Sequence, residues 1–116
     1  MTDSKLRTTS MAFSVQIIEL VKKLRSRHET VIANQIGRSG TSIGANLAES
    51  ACAISRSDFL SKVYIALKET AETLYWLELL YETDYLTRAQ YQSLRSDAEE
   101  LRKILSATTK TMKETV

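Results

Sequence analysis

Proline is absent from the 116 residues, and the chain has only three glycines and one cysteine. Helix interiors exclude proline while turn-rich folds use it freely, so these scarcities predict a mostly helical protein. The single cysteine, Cys52, excludes an intrachain disulfide and a cysteine-based zinc site. The only histidine, His28, has no second histidine or cysteine near it in sequence, and we expect no metal and no cofactor.

Long hydrophobic runs are also missing. No segment approaches the roughly 18 apolar residues of a membrane span, and the start, MTDSKLRTTSMAF, lacks the apolar core of a signal peptide. We therefore expect a cytoplasmic protein without membrane contacts. With 43% hydrophobic residues the chain can form one core, which predicts a single domain over residues 1–116.

Apolar residues recur at helical spacing along most of the chain. The predicted helices cover about residues 4–26, 29–53, 58–82 and 87–112. Helices of this length with short connections predict an all-α fold, an antiparallel up-down-up-down four-helix bundle. In the first helix three apolar residues are expected to widen the core stripe: Met11, Ile18 and Val21.

Polar residues mark the predicted helix starts. Ser26 with Glu29, and Thr87 with Gln90, have the spacing of a capping box, in which each side chain satisfies a free backbone amide of the other residue. Ser55 and Ser57 are candidate N-caps for the third helix.

All three glycines lie in IGRSGTSIGAN, residues 36–46. The pattern resembles the GXXG loop of a KH domain, which clamps a nucleic-acid backbone. A strand should follow that loop, but no alternating β-branched run does, so a helix is favoured. Gly37, Gly40 and Gly44 share one helix face, which predicts close approach of a neighbouring helix.

A polar strip runs along the same helix. One side of it is formed by Arg38, Ser42, Ala45 and Glu49, and Ser39, Asn46 and Ser50 run beside them. Glu69 and Glu72, three residues apart on the third helix, are expected to pair with Arg38 in a buried network that fixes helix register, with Asn46 also locking the contact. Two carboxylates on one face could instead divide acid and base roles in catalysis.

The third helix is apolar in nearly every direction. Such a helix is normally covered on all sides, which a four-helix monomer does not provide. We therefore predict a subunit interface that includes Tyr64, Tyr75, Trp76 and Leu79.

Positive charge concentrates in the first and last helices. The overall net charge is only +2, but residues 1–28 carry six basic and two acidic residues, and residues 29–85 carry four and eight. Residues 86–116 carry six and four. Contact with several phosphates would make binding strongly salt-dependent, and the candidate nucleic-acid residues are Lys22, Lys23, Arg25, Arg27, Arg88, Arg95, Arg102 and Lys103. The alternative is an ordinary solvated helix surface.

Two blocks carry a family resemblance. They are RSGTSIGANLAES, residues 38–50, and SRSDFLSKVYIALKETAETLYWLELL, residues 55–80. The first resembles the S-I-x-x-N-[IL]-A-E run of the four-helix-bundle proteins encoded in intervening sequences of bacterial 23S ribosomal RNA genes. The chain departs from the common pattern at Ser50, where glycine often follows the glutamate, and it lacks the proline often found between the first two helices.

This resemblance implies a homo-oligomer, in known relatives a ring of five, with no established enzymatic activity. The similar accessory proteins of diversity-generating retroelements bind nucleic acid and a reverse transcriptase, which suggests RNA or DNA as a partner by analogy. We expect a non-enzymatic, cyclic homo-oligomeric scaffold, a pentamer, that binds nucleic acid with low sequence specificity. The alternative is a protein interaction module that contacts a partner protein and no nucleic acid.

Overall fold

The computed structural model describes residues 4–114, and within them the fold is all-α. The four helices are α1 (Ser4–Ser26), α2 (Val31–Ser50), α3 (Arg56–Glu82) and α4 (Arg88–Glu114). The described range contains no β-strand, which confirms the predicted fold class. The boundaries predicted for α2 were too wide at both ends. α3 begins two residues earlier than predicted, and α4 begins one residue later and ends two residues later than predicted.

The α1–α2 turn differs from the predicted capping box. The Ser26 hydroxyl donates to the Lys23 carbonyl at 2.7 Å, inside α1, while Glu29 alone accepts from the Ile32 amide at 2.6 Å. His28 adopts a left-handed conformation with φ of 64°, and the Glu29 amide donates back to the Leu24 carbonyl at 2.9 Å. This is the hydrogen-bond pattern of a Schellman motif, so His28 ends α1 before Ser26 can cap α2.

The α3–α4 turn repeats this ending. Asp84 has φ of 68°, and the Tyr85 amide donates to the Leu80 carbonyl at 2.9 Å. Histidine and aspartate are among the residues that most readily adopt positive φ, so both helices stop without glycine.

Two other predicted caps are present. The Gln90 backbone amide donates to the Thr87 hydroxyl at 3.1 Å, and the Thr87 backbone amide donates to the side-chain oxygen of Gln90 at 2.9 Å. The Asp58 amide donates to the Ser55 hydroxyl at 3.0 Å. Both contacts satisfy amides that have no partner inside the helix.

Each helix packs against the next one in sequence, and α4 returns to α1. Because the connections are short, successive helices run in opposite directions along a bundle of 47 × 21 × 21 Å. In the described residues α1 and α3 have no close backbone approach, so they occupy opposite corners. The largest fully buried apolar side chains are Phe13, Ile17, Leu24, Ile36, Ile43, Leu77, Leu80, Leu101 and Leu105.

The glycine face of α2 packs on α1. A Cβ atom at Gly40 would lie 2.9 Å from two carbons of the Ile17 side chain, and one at Gly37 would lie 3.3 Å from Val21. A Cβ atom at Gly44 would meet the Ser14 hydroxyl at 3.3 Å. The predicted close approach of a neighbouring helix is confirmed, and the neighbour is α1.

Candidate nucleic-acid interface

Arg38 joins α2 to α3 through both predicted glutamates. Its guanidinium donates to a Glu69 carboxylate oxygen at 3.1 Å and also to Glu72. Trp76 donates its indole N–H to the same Glu72 oxygen at 2.9 Å. The Arg38 side chain is 49% exposed, so the network lies at the surface edge of the α2–α3 contact instead of being buried as predicted. A half-solvated pair of this kind orients two helices more than it stabilises them.

The rest of the polar strip on α2 behaves differently from the prediction. The Ser42 hydroxyl donates to the Arg38 backbone carbonyl at 2.7 Å, and the side-chain amide of Asn46 donates to the Ser42 backbone carbonyl at 2.9 Å. Both bonds lie within α2, because short polar side chains on a helix readily reach the carbonyl one turn back. Asn46 therefore does not lock the contact with another helix.

Glu49, by contrast, reaches α3. It accepts from the Lys62 ammonium at 2.8 Å. This hydrogen bond and the Glu49 charge raise the pKa of Lys62. Together with Arg38, this pair places two charged links across α2 and α3.

A buried polar contact between these helices was missed. The Thr73 hydroxyl lies 2.9 Å from the Ser39 hydroxyl and 2.7 Å from the Glu69 carbonyl, and both side chains are fully buried. Ser39 adjoins the predicted strip, but Thr73 lies among apolar residues without a sequence signal of its own. Predicting this contact requires knowledge of which face of α3 packs against α2.

The predicted interface residues on α3 are only partly accessible. Tyr75 is 58% exposed and packs edge-on to the half-buried Trp76, with ring centroids 5.0 Å apart. Leu79 is half-buried, and Tyr64 lies under the Lys113 ammonium, 4.9 Å from the ring centre. Their role in an interface stays a prediction.

Exposed apolar residues also line α1. Met11, Val15 and Ile18 follow one another at four and three residues and are all exposed. Met11 and Ile18 were expected to widen the core stripe, and this expectation was wrong. The stripe faces outward because α2 and α4 cover the other side of α1.

The predicted cations of α1 and α4 lie on two neighbouring helices of the bundle. The Gln16 amide donates to Asp97 at 3.2 Å, which places the middle of α1 beside the middle of α4. Lys22, Lys23, Arg25, Arg27 and Arg88 lie toward the end where α1 finishes and α4 begins. Arg95 lies one turn or more further along α4, and Arg102 and Lys103 fall in its second half.

Half of these eight cations already have partners in the chain. Lys22 pairs with Glu19 at 3.7 Å, and Arg25 donates to the Asn34 side chain at 2.8 Å. Arg27 donates to the Tyr85 carbonyl at 3.2 Å and lies 4.5 Å from the centre of its ring.

On α4, Arg102 donates to Glu99 at 2.5 Å, and this hydrogen bond lowers the pKa of Glu99. The other four cations are exposed and form no hydrogen bond or ion pair within the described part of the chain: Lys23, Arg88, Arg95 and Lys103. The charges of Arg95 and Lys103 also help to lower the pKa of Glu99.

A groove of about 900 Å³ separates the end of α1 from the start of α4. Its apolar lining includes Leu20, Leu24, Leu86 and Leu94. Lys23 and Arg27 are also among the lining residues. The groove was not expected from the sequence, because the periodicity of each helix predicts a buried face but not how tightly two such faces close.

The model of the 23S rRNA-intervening sequence protein family matches residues 2–107. The chain belongs to this family. A crystal structure of a protein of unknown function from the S23 ribosomal protein family of Bacteroides thetaiotaomicron VPI-5482 is 49% identical, with a TM-score of 0.88. The match covers 90% of this chain and 98% of that one. A comparison with curated proteins found no match.

This intervening-sequence protein has, in its described residues, no helix long and apolar enough to cross a membrane. The same residues contain no group of three or more histidine, cysteine, aspartate or glutamate side chains placed to hold a metal ion. Both findings concern residues 4–114 alone.

Proposed function

We propose that this intervening-sequence protein is a non-enzymatic, cytoplasmic scaffold that self-assembles and binds nucleic acid with low sequence specificity. The observation that carries the proposal is the adjacency of its two basic helices. Because α4 packs beside α1, the two helices that carry these exposed cations are neighbours in the bundle. A protein that neutralises several phosphates from one side binds with a steep dependence on salt and little dependence on sequence.

Self-assembly is supported by the positions of the exposed apolar residues. Among the described residues, five of the seven large ones lie on α1, as Met11, Val15 and Ile18, and on α3, as Ile65 and Tyr75; the other two, Val31 and Ile54, lie at the start of α2 and in the α2–α3 connection. These helices occupy opposite corners, so one subunit could place its α1 face on the α3 face of the next. Contacts between unlike faces generate rings when the rotation closes. The resemblance to known relatives sets the proposed ring at five subunits.

The first test is size-exclusion chromatography with light scattering, together with titration of labelled duplexes of two unrelated sequences. The expected result is one homo-oligomer that binds both duplexes with similar affinity. The logarithm of the affinity should fall linearly with the logarithm of the salt concentration. Affinities that do not change with salt concentration, or no binding to either duplex at low salt, would refute the proposal that the protein binds nucleic acid. A monomer would refute the scaffold.

Charge reversal at Arg95 and Arg102 tests the α4 surface. The double variant Arg95→Glu/Arg102→Glu should bind both duplexes more weakly by the same factor and keep its oligomeric mass. Because Arg102 also pairs with Glu99, the matched control is Glu99→Gln, which frees Arg102 and should not weaken binding. Unchanged affinity in the double variant would remove these residues from the proposal.

The α1–α4 groove favours a second candidate, a module that binds a partner protein. A groove of about 900 Å³ lined by leucines can accept the apolar face of a helix. A partner recovered from lysate after nuclease treatment and at high salt, together with no duplex binding, would favour this candidate.

A further inference from the structure

Cations crowd one end of the bundle, which we call the connection end because the α2–α3 connection lies there. The halves of the four helices nearest to it cover residues 5–14, 41–68 and 102–113. These residues include nine basic and two acidic residues, an excess of seven positive charges. The opposite half, residues 15–40 and 69–101, includes seven basic and ten acidic residues. The net charge of +2 therefore conceals an uneven distribution of charge along the bundle axis.

The cations of the connection end come from three helices. α1 contributes Lys5 and Arg7, α3 contributes Arg56 and Lys62, and α4 contributes Lys103, Lys110 and Lys113 among others. The bundle is 21 Å across; α1 and α4 are neighbours in it, whereas α3 lies at the corner opposite α1.

Several of these cations are available for an external anion. Four of them are exposed and form no hydrogen bond or ion pair within the described part of the chain: Lys5, Arg7, Lys103 and Lys110. Of these, Lys103 lies close enough to Glu99 to help lower the pKa of that carboxyl. The opposite end includes cations as well, but there Arg25 and Arg27 bind groups of the chain itself, and that half of the bundle carries more acidic than basic residues. A polyanion is therefore favoured at the connection end and repelled in part at the other.

The connection end also offers no surface for base stacking. Among its described residues the aromatic ones are the buried Phe13 and the half-buried Phe59 and Tyr64, and Lys113 covers the Tyr64 ring. Proteins that hold single strands place exposed aromatic rings beneath successive bases. Phosphate contacts to a double helix need only cations.

The dimensions agree with a duplex. A double helix has about one phosphate charge per 1.7 Å of its axis, so the 21 Å width of the bundle faces about 12 phosphate charges. An excess of seven positive charges can neutralise a substantial part of them. The large apolar side chains exposed in this half, Met11, Ile54 and Ile65, lie on three different elements, whereas membrane-surface helices present a whole apolar face.

We infer that the connection end, built from the start of α1, the α2–α3 connection and the end of α4, binds the phosphate backbone of a nucleic-acid duplex. This inference rests on the proposed function. It places the main duplex-binding surface at the connection end instead of at the cations near the end of α1.

The test compares two variants of equal charge in fluorescence anisotropy with a labelled duplex of 20 mixed base pairs. The first replaces Lys5, Arg7, Lys103 and Lys110 with glutamine. The second replaces Lys22, Lys23, Arg25 and Arg88 with glutamine. The first variant should lose affinity at least about tenfold at moderate salt and show a shallower salt slope. The second should stay within about threefold of the unmodified protein.

Each other outcome has a defined meaning. If the second variant loses as much duplex affinity as the first, the inference is overturned and the proposed function stands. No duplex binding by the unmodified protein overturns both. Tighter binding to single strands of the same length, or to vesicles of phosphatidylserine and phosphatidylcholine, overturns the assignment to a duplex. Circular dichroism and light scattering on both variants establish that fold and assembly are retained.

Cys52 supplies a second readout that needs no charge change. It is the only cysteine, is exposed and lies in the α2–α3 connection. An environment-sensitive fluorophore on Cys52 should respond to duplex binding. The same fluorophore on Cys52→Ser/Ser26→Cys, at the far end of α1, should respond much less. A stronger response at residue 26 would overturn the inference.

Discussion

The α2–α3 contact and the α1–α4 contact are opposite sides of one bundle but are built differently. Across α2 and α3, the Arg38 pair, the Lys62–Glu49 pair and the buried Ser39–Thr73 hydrogen bond join the helices. Across α1 and α4 a groove of about 900 Å³ opens. Both helix pairs carry apolar stripes of the same period, so periodicity alone does not decide how tightly a contact closes.

This difference suggests that the two helix contacts have different structural roles. The α2–α3 contact fixes the register of the bundle through polar groups that match only in one alignment. The α1–α4 contact relies on apolar side chains and leaves room beside them. We therefore expect substitutions of the same kind to have unequal effects on the two sides.

The largest expected effect comes from enlarging a serine on each side. Ser39→Leu forces a larger side chain into a fully buried position and removes the hydrogen bond with Thr73. It should lower the free energy of unfolding by about 3 kcal/mol. Ser93→Leu adds the same side chain to the lining of the α1–α4 groove, where Ser93 is exposed, and should change it by less than about 0.5 kcal/mol.

Urea denaturation of both variants measures these changes. Equal losses would mean that the α1–α4 groove closes in solution and that the two sides do not differ. A harmless Ser39→Leu would mean that the buried serine has space beside it.

A smaller effect is expected from the buried hydroxyl pair itself. Ser39→Ala and Thr73→Val should each cost about 1 kcal/mol, and the double variant should cost less than their sum because both remove the same bond. Gln16→Ala removes the cross-helix hydrogen bond on the α1–α4 side, which is exposed, and should cost less than about 0.5 kcal/mol. Strict additivity for Ser39 and Thr73 in a double-mutant cycle would show that their hydrogen bond adds nothing.

Local sequence signals predicted much of the fold. The absence of proline and the helical spacing predicted four helices, and the Thr87–Gln90 capping box located the start of α4. The same pattern at Ser26 and Glu29 failed because the left-handed His28 lies between them, and one sequence does not reveal which residue will adopt positive φ.

Features that depend on two helices together were predicted less well. Arg38 was paired with the correct glutamates because opposite charges amid apolar neighbours need each other. Met11 was placed toward the core because the sequence does not specify how far α4 covers α1. The polarity of charge along the bundle combines the start of α1 with the end of α4, residues that are distant in sequence and meet only in the folded chain.

The two helix stops give a stabilising prediction. His28 and Asp84 both have positive φ, which costs a residue with a Cβ atom more than glycine. His28→Gly and Asp84→Gly should each raise the free energy of unfolding by up to about 1 kcal/mol. Both turns lie at the end of the bundle where the groove opens, so the variants also test whether strain there holds α1 and α4 apart. Thermal denaturation measures the gain, and a loss at either position would show that the native side chain stabilises the turn more than its conformation costs.

The smallest effects concern two surface ion pairs and their opposite dependence on pH. The hydrogen bond from Arg102 lowers the pKa of Glu99 from its ordinary value of 4.5. Its stabilisation is therefore present above that value and disappears as the pH falls through the folded-state pKa. On the α2–α3 side, Glu49 raises the pKa of Lys62 from 10.5. That contribution is present below 10.5 and disappears as the pH rises through the folded-state pKa.

The variants Arg102→Gln and Glu49→Gln separate these two ranges. Arg102→Gln should differ from the unmodified protein in melting temperature at neutral pH and converge with it in acid, since protonated Glu99 no longer attracts a cation. Between neutral and alkaline pH, Glu49→Gln should converge with the unmodified protein in strong alkali, where Lys62 loses its charge. Both differences are expected to be small because the pairs are exposed to solvent. If Arg102→Gln instead converged in alkali, the hydrogen bond to Glu99 would not be the source of its stabilisation.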